Sequence, residues 1–171
     1  EFFYDWNTGK MIYYPAEGVD MATATFEYPT GDHMLSFYGV KNVTLKNMTF
    51  TGNDDQSWEN SVYSCSQATS LAGDYGSDTK AALYFSNTTN VTISECLFHD
   101  MPTMGVKFTG VTYSPTVESS RFFKIGCTGI EIGQHSGTWD ENTNANYDIK
   151  VYNNYLDDIA WYARGAIGIY I

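Results

Sequence analysis

Positive charge is scarce in this chain: Lys and Arg number 9 against 20 Asp and Glu, a formal net charge of −11. That sign repels phosphate backbones and argues against nucleic acid as a partner. It argues equally against acidic polysaccharides, unless a divalent cation intervenes. Charge of either sign is low as well. Charged residues make up 17% and apolar ones 43%, a balance that allows a core and excludes a disordered chain. No apolar run approaches the roughly 18 residues a membrane helix needs. Cys65, Cys96 and Cys127 are the only cysteines, too few for a disulfide framework. At most one bridge forms, and the favoured reading is of reduced thiols buried as small hydrophobes. A phosphate-binding loop, a dinucleotide fingerprint, a paired-cysteine zinc site and an activated-serine motif are all missing. Glu1 is not preceded by an initiator Met, no signal-peptide pattern is present, and the chain stops inside the apolar stretch ending Tyr170-Ile171. These features lead us to expect a segment of a longer protein. A length of 171 residues suits one domain.

What the chain does have is self-similarity. Asn42-Val43-Thr44-Leu45 through Thr49-Phe50 returns 48 residues later as Asn90-Val91-Thr92-Ile93 through Leu97-Phe98. Ile93, Cys96, Phe98, Met101, Gly105, Val106 and Phe108 return after 24 residues as Val117, Ser120, Phe122, Ile125, Gly129, Ile130 and Ile132. Leu35 and Phe37 precede Leu83 and Phe85 by 48, and a further copy runs from Val151 through Asn154, Leu156 and Ile159. Each copy reads as two short strands with alternating inward residues, too short for an ordinary sheet. They suit a coil of about 24 residues per turn in which each strand pairs in parallel with its copy about 4.8 Å away. The expected fold is therefore all-β: a right-handed parallel β-helix, a solenoid. A β-sandwich would not impose a fixed repeat. Asn42, Asn90, Ser114 and Asp148 fall in one corner column, and Asn and Asp tolerate left-handed turns. Residues 1–32 do not repeat. Their pattern of strand, Asn-Thr-Gly turn and strand predicts an N-terminal β-hairpin, with the coils occupying 33–171.

Corner insertions carry the binding loops of such solenoids. Here they are expected at 51–80, 134–147 and 160–165. The first and last would share one edge, placing Trp58, Tyr63, Tyr75, Trp161, Tyr162 and Arg164 along a groove. Aromatic faces beside carboxylates suit neutral sugars, whose C–H faces stack on rings. The alternative is that these rings anchor long loops to the coil.

Phe2-Phe3-Tyr4-Asp5 with Tyr13-Tyr14-Pro15 resembles the opening hairpin of large secreted β-helix repeat proteins. So do Asn42-Val43-Thr44, Gln67-Ala68, Ala81-Ala82-Leu83-Tyr84-Phe85, Gly129-Ile130-Glu131-Ile132-Gly133, Asn153-Asn154 and Gly165-Ala166-Ile167-Gly168-Ile169. Over nearly the whole chain the pattern is similar to the pectate-lyase-like superfamily, and within it to β-helix glycoside hydrolases of the fucosidase and xylosidase type. The resemblance implies a secreted, carbohydrate-active protein that needs no cofactor. Its matching positions define architecture more than chemistry, and the wider group includes pectin-active enzymes and proteins without known activity.

Glycoside hydrolysis requires two facing carboxyl groups, about 5 Å apart for retention and about 6.5–9.5 Å for inversion. The repeat puts Asp100, Lys124 and Asp158 in one corner column. Asp100 and Asp158, two coils apart, should lie roughly 9.6 Å from one another at the parallel-sheet spacing. Glu131 is expected to face outward just after that corner, in the column Tyr84, Lys107, Glu131, Tyr170. Asp100, Glu131 and Asp158 are thus the candidate catalytic carboxylates, with His99 and Asp157 beside them. The competing reading is surface ion pairing of Lys124 with the aspartates and of Lys107 with Glu131, which contributes little. His99 and His135 are candidates for binding sugar hydroxyls, although a lone turn His is commonly just solvated. His33 reads as structural. Asp140, Asn142, Asn144 and Asp148 present the alternating oxygen ligands of a calcium loop, without the Gly and Glu of an EF-hand. Asn42, Asn47, Asn87 and Asn90 begin N-glycosylation patterns, which the coil's own turn and alternation also produce. Lys107, Lys124 and Arg121 would serve a lyase acting on an anionic polymer, but the net charge opposes it.

Two functions follow as expectations. The first is an extracellular glycoside hydrolase on neutral oligo- or polysaccharide, with Trp161, Tyr162 and Arg164 positioning the sugar. The second is a non-catalytic structural or adhesive β-helix glycoprotein, self-associating through open coil ends.

Overall fold

The computed structural model describes residues 2–5, 7–27, 29, 31, 33–53, 80–133, 145–161 and 165–171. Among them the coils wind around three parallel sheets. The first contains β3 (Leu35–Tyr38), β6 (Ala81–Ser86), β9 (Met104–Thr109), β13 (Ile130–Ile132) and β17 (Ile169–Tyr170), stacked in that order. On the second lie β4 (Lys41–Lys46), β7 (Thr89–Ser94), β10 (Thr112–Tyr113), β11 (Thr116–Glu118), β14 (Asn146–Tyr147) and β15 (Lys150–Tyr152). The third contains β5 (Thr49–Thr51), β8 (Leu97–Met101), β12 (Arg121–Ile125) and β16 (Tyr155–Ile159). Outside the coils, β1 (Phe2–Asp5) and β2 (Lys10–Tyr13) form an antiparallel hairpin. Its turn is held by Asp5, whose carboxylate accepts from the Asn7 amide and the Thr8 hydroxyl.

The register follows the repeat. Ile93 pairs with Val117, Phe98 with Phe122, Met101 with Ile125, Val106 with Ile130 and Phe108 with Ile132. Leu35 and Phe37 pair with Leu83 and Phe85 across the 48-residue step. Alternation sends these side chains inward, where the same residue type meets its copy from the next coil. Phe50, Phe98 and Phe122 stack at 5.0 and 4.6 Å between ring centroids. Phe37, Phe85 and Phe108 form a second ladder at 4.8 and 4.7 Å. Phe98, Phe122, Phe85 and Phe108 are fully buried, and each contributes about 1.5–3 kcal/mol by leaving water.

Left-handed residues make the corners. Asn42, Asn90, Ser114 and Asp148 have φ of 57°, 54°, 51° and 51°. Their side chains join across coils: Asn90 donates to Asn42 at 2.8 Å and Ser114 to Asp148 at 3.0 Å. A second column, Asn47, Glu95, Ser119 and Asn153, has φ of 57°, 52°, 49° and 55°. This second corner corrects the expectation of two strands per copy. It separates β7 from β8, shifting the inward positions from Val91 and Ile93 to Cys96 and Phe98, so each full turn passes through three sheets.

Two further expectations are corrected. The insertion expected at 134–147 ends earlier, because Asn146 and Tyr147 pair in parallel with Thr112 and Tyr113. The thiols are not all reduced: Cys127 is disulfide-bonded, whereas Cys96 is free and buried. Burial raises the Cys96 thiol pKa, because an apolar surrounding penalises the thiolate. Cys65 lies outside the described residues.

Candidate functional site

A third column of left-handed residues builds the site. Asp100, Lys124 and Asp158 have φ of 51°, 51° and 50°, each one residue before the end of its strand on β8, β12 and β16. Flanking pairs Phe123–His99 and Phe123–Asp157, then Ile125–Met101 and Ile125–Ile159, lock the column in register. The left-handed turn at this point interrupts alternation and projects the three polar side chains from the corner. Lys124 Nζ lies 3.7 Å from Asp100 Oδ1, both side chains being about half exposed. His99 Nδ1 lies 2.7 Å from the other oxygen, Oδ2. The pKa of Asp100 is lowered, first by the His99 hydrogen bond; desolvation opposes this, and the Lys124 charge adds a smaller lowering.

Beside the column is an open pocket of about 510 Å³, lined by Asp100, Met101, Pro102, Lys124, Asp158 and Trp161. That volume lies within the range of small-molecule sites. Ala160 positions the tryptophan. It adopts φ of 63°, and its N–H donates to the carbonyls of Ile125 at 2.8 Å and Cys127 at 3.2 Å. The chain turns there and leaves Trp161 half exposed at the pocket wall. Met101 and Pro102 were missing from the sequence-derived site. Their signal was available, since they directly follow Asp100 at the corner.

Glu131 requires a correction. It does occupy the column Tyr84, Lys107, Glu131, Tyr170, paired strand to strand. It is not, however, a surface carboxylate, and it does not line the pocket of Asp100 and Asp158. Glu131 is 1% exposed and Lys107 0%, with Lys107 Nζ 3.2 Å from Glu131 Oε1. Alternation decides only which side of a strand a residue faces, and burial on that side depends on what packs over it. The pair compensates two charges taken out of water and gives the site no accessible acid.

The remaining candidates are distributed as follows. His99 is part of the corner cluster through Asp100. Asp157 is exposed one position before Asp158. Asp148 accepts from Ser114 and lies 3.5 Å from Lys150 Nζ. Asp140, Asn142 and Asn144, the rest of the expected calcium loop, lie outside the described residues, as do Trp58, Tyr63, Tyr75, His135, Tyr162 and Arg164. Among the described residues no group of three or more His, Cys, Asp or Glu is arranged to hold a metal ion. Likewise, no helix there is long and apolar enough to cross a membrane. Asn42, Asn47, Asn87 and Asn90 are all exposed and all left-handed. Asn87 accepts from the Val111 amide at 3.0 Å, and Asn42 and Asn90 bond to one another, so these amides also serve the corners. His33 is part-buried at 2.8 Å from the Ala81 carbonyl.

Comparison with curated proteins and with solved structures finds no match. A family model described as the right handed beta helix region matches residues 4–171. With three parallel sheets in the expected register and that match over nearly its full length, the chain belongs to the right-handed β-helix family.

Proposed function

We propose that this chain is part of an extracellular carbohydrate-active β-helix, a glycoside hydrolase that takes neutral glycans at the corner pocket. The single observation carrying this reading is the convergence of Asp100, Asp158, Lys124 and Trp161 on one open pocket. Trp161 offers a ring face to the C–H face of a sugar, and the polar column offers donors and acceptors to its hydroxyls. Asp100 and Asp158 stand two coils apart, roughly 9.6 Å from strand to strand, just above the upper limit, about 9.5 Å, of the carboxyl separation used in inversion. Asp100, held ionised by His99 and Lys124, is the base that activates water. Asp158 supplies the second carboxyl of the pair. The Cys127 disulfide supports an oxidising, extracellular location. The exposed acceptor patterns at Asn42, Asn47, Asn87 and Asn90 are the glycan attachment sites if the protein passes through a secretory pathway.

A second reading has its own observation. Two of the three candidate carboxylates are paired with lysine, Asp100 with Lys124 and Glu131 with Lys107. Asp100, with its lowered pKa, is a weak base near neutrality. This favours a glycan-binding or structural β-helix that does not cleave. Turnover of a panel of aryl glycosides and natural neutral glycans separates the two. Asp100→Asn and Asp158→Asn are expected to abolish turnover while retaining binding. If binding occurs with no turnover by the unaltered protein, the second reading holds. If neither occurs, the pocket is not a carbohydrate site.

A further inference from the structure

Beside the pocket's corner lies the outer face of the third sheet, which carries exposed rings. On the third sheet the outward positions form two rows beside the corner column. One row is Thr49, Leu97, Arg121 and Tyr155, and the other is Thr51, His99, Phe123 and Asp157. Phe123 is 37% exposed and Tyr155 55%, beside Trp161 at 52%. Tyr155 and Trp161 stand on the same coil, before and after Asp157 and Asp158, and Phe123 stands one coil back. On the second sheet the corresponding outward row is Thr44, Thr92, Thr116 and Lys150. Of that sheet's exposed tyrosines, Tyr113 and Tyr147 cover each other's faces at 4.7 Å and 9°, and Tyr152 donates its hydroxyl to the Glu118 carboxylate. The rings of the third sheet are braced by cations instead. Arg121 Cζ lies 5.6 Å from the Tyr155 centroid, and Lys124 Nζ lies 5.2 Å from that of Phe123.

We propose that the outer face of β8, β12 and β16 is an extension of the pocket that binds further residues of the same glycan, so the ligand is a linear neutral oligosaccharide of three or more sugars. This rests on the reading of the pocket as a carbohydrate site. Tyr155 stands three residues before Asp158, roughly 10 Å along the strand at about 3.3 Å per residue, so the rings reach well beyond the pocket. Each exposed ring has a cation beside it that can donate hydrogen bonds to a sugar, Arg121 at Tyr155 and Lys124 at Phe123, and Asp157 separates Tyr155 from the corner. A ring for the apolar face of a sugar and a fixed polar group for its hydroxyls is what each successive residue of a chain requires. Arg121 and Lys124 stand among Asp100, Asp157 and Asp158, so the patch has no cationic excess to attract a polyanion.

The test is titration calorimetry with neutral oligosaccharides of glucose, xylose and galactose, from monosaccharide to hexasaccharide. Affinity is expected to rise with length and then level off. Phe123→Ala and Tyr155→Ala should each weaken the longer oligomers about three- to tenfold, the scale of one aromatic contact, and leave mono- and disaccharides unchanged. Phe123→Tyr and Tyr155→Phe keep the rings and should keep the affinity, which separates loss of a platform from loss of folding. Trp161→Ala should weaken every length. Short sugars bound with no gain from length, or long ones bound equally by the alanine variants, would overturn the extension and leave the pocket intact. Failure of every sugar to bind the unaltered protein would instead overturn the pocket itself. A dimer in solution that dissociates on Phe123→Ala or Tyr155→Ala would assign this face to a second copy and overturn the proposal.

Discussion

Asp100 shows how a single residue's neighbours decide its chemistry. The His99 hydrogen bond and the Lys124 charge depress its pKa, so its folded value lies below its unfolded one. Its stabilising contribution is therefore present above the unfolded pKa and is lost as pH falls through the folded value. Solvent screening keeps that contribution small. The larger consequence is for function, because the acid limb of any Asp100-dependent reaction is displaced below the ordinary aspartate range. NMR titration of the Asp100 carboxyl should show its pKa rising in His99→Ala and, less, in Lys124→Ala. The Lys107–Glu131 pair behaves differently because it is buried. Lys107→Met leaves Glu131 without its lysine and should cost about 3–5 kcal/mol in urea unfolding. Lys107→Met combined with Glu131→Leu should cost clearly less than the two single changes added, since both members of the ion pair are then removed together.

At the scale of elements, stacking of like on like is the coil's main source of stability. Phe98 has an aromatic neighbour on both sides, Phe50 and Phe122. Phe98→Ala should lose about 3–5 kcal/mol by thermal or urea unfolding. Phe37→Ala, at the end of its ladder and only part-buried, should lose less. Close coil approach sets a second limit. A Cβ at Gly105 would meet the Gly129 carbonyl at 2.7 Å and the Phe122 ring at 2.9 Å. Gly105→Ala should thus be more destabilising than an exposed glycine replacement, by about 1–3 kcal/mol of overpacking, with a lowered midpoint and an unchanged denaturant slope as the readout. The strand count per turn was the element least legible beforehand. The inward positions step by three from Ile93 to Cys96 rather than by two, and that single shift, at the left-handed Glu95, is the only mark of the corner.

For the whole molecule, the net charge of −11 makes partner charge the discriminating variable. Binding of a neutral glycan should change by less than twofold between low salt and 0.5 M salt, whereas any attraction to a charged polymer would be screened over that range. Calorimetry at the two ionic strengths checks this directly. Winding also explains how residues as far apart as Asp100 and Asp158 border one pocket. Each pairing of a strand with its copy brings together side chains separated by a whole turn of the chain.

The repeat was legible because the same inward positions recur at fixed spacing, and parallel pairing leaves only one register that buries them all. From that register the columns followed, including the corner that unites Asp100, Lys124 and Asp158. What covers a column was not legible. Glu131 and Asp100 look alike in sequence, an acidic residue on an outward or corner position, yet one is buried against a lysine and the other borders an open pocket. The oxidation of Cys127 was hidden for the same reason. Periodicity reports the side of the strand on which a side chain stands, whereas solvent access and partnership depend on segments brought over it from elsewhere in the chain, and those contacts exist only once the coils have closed.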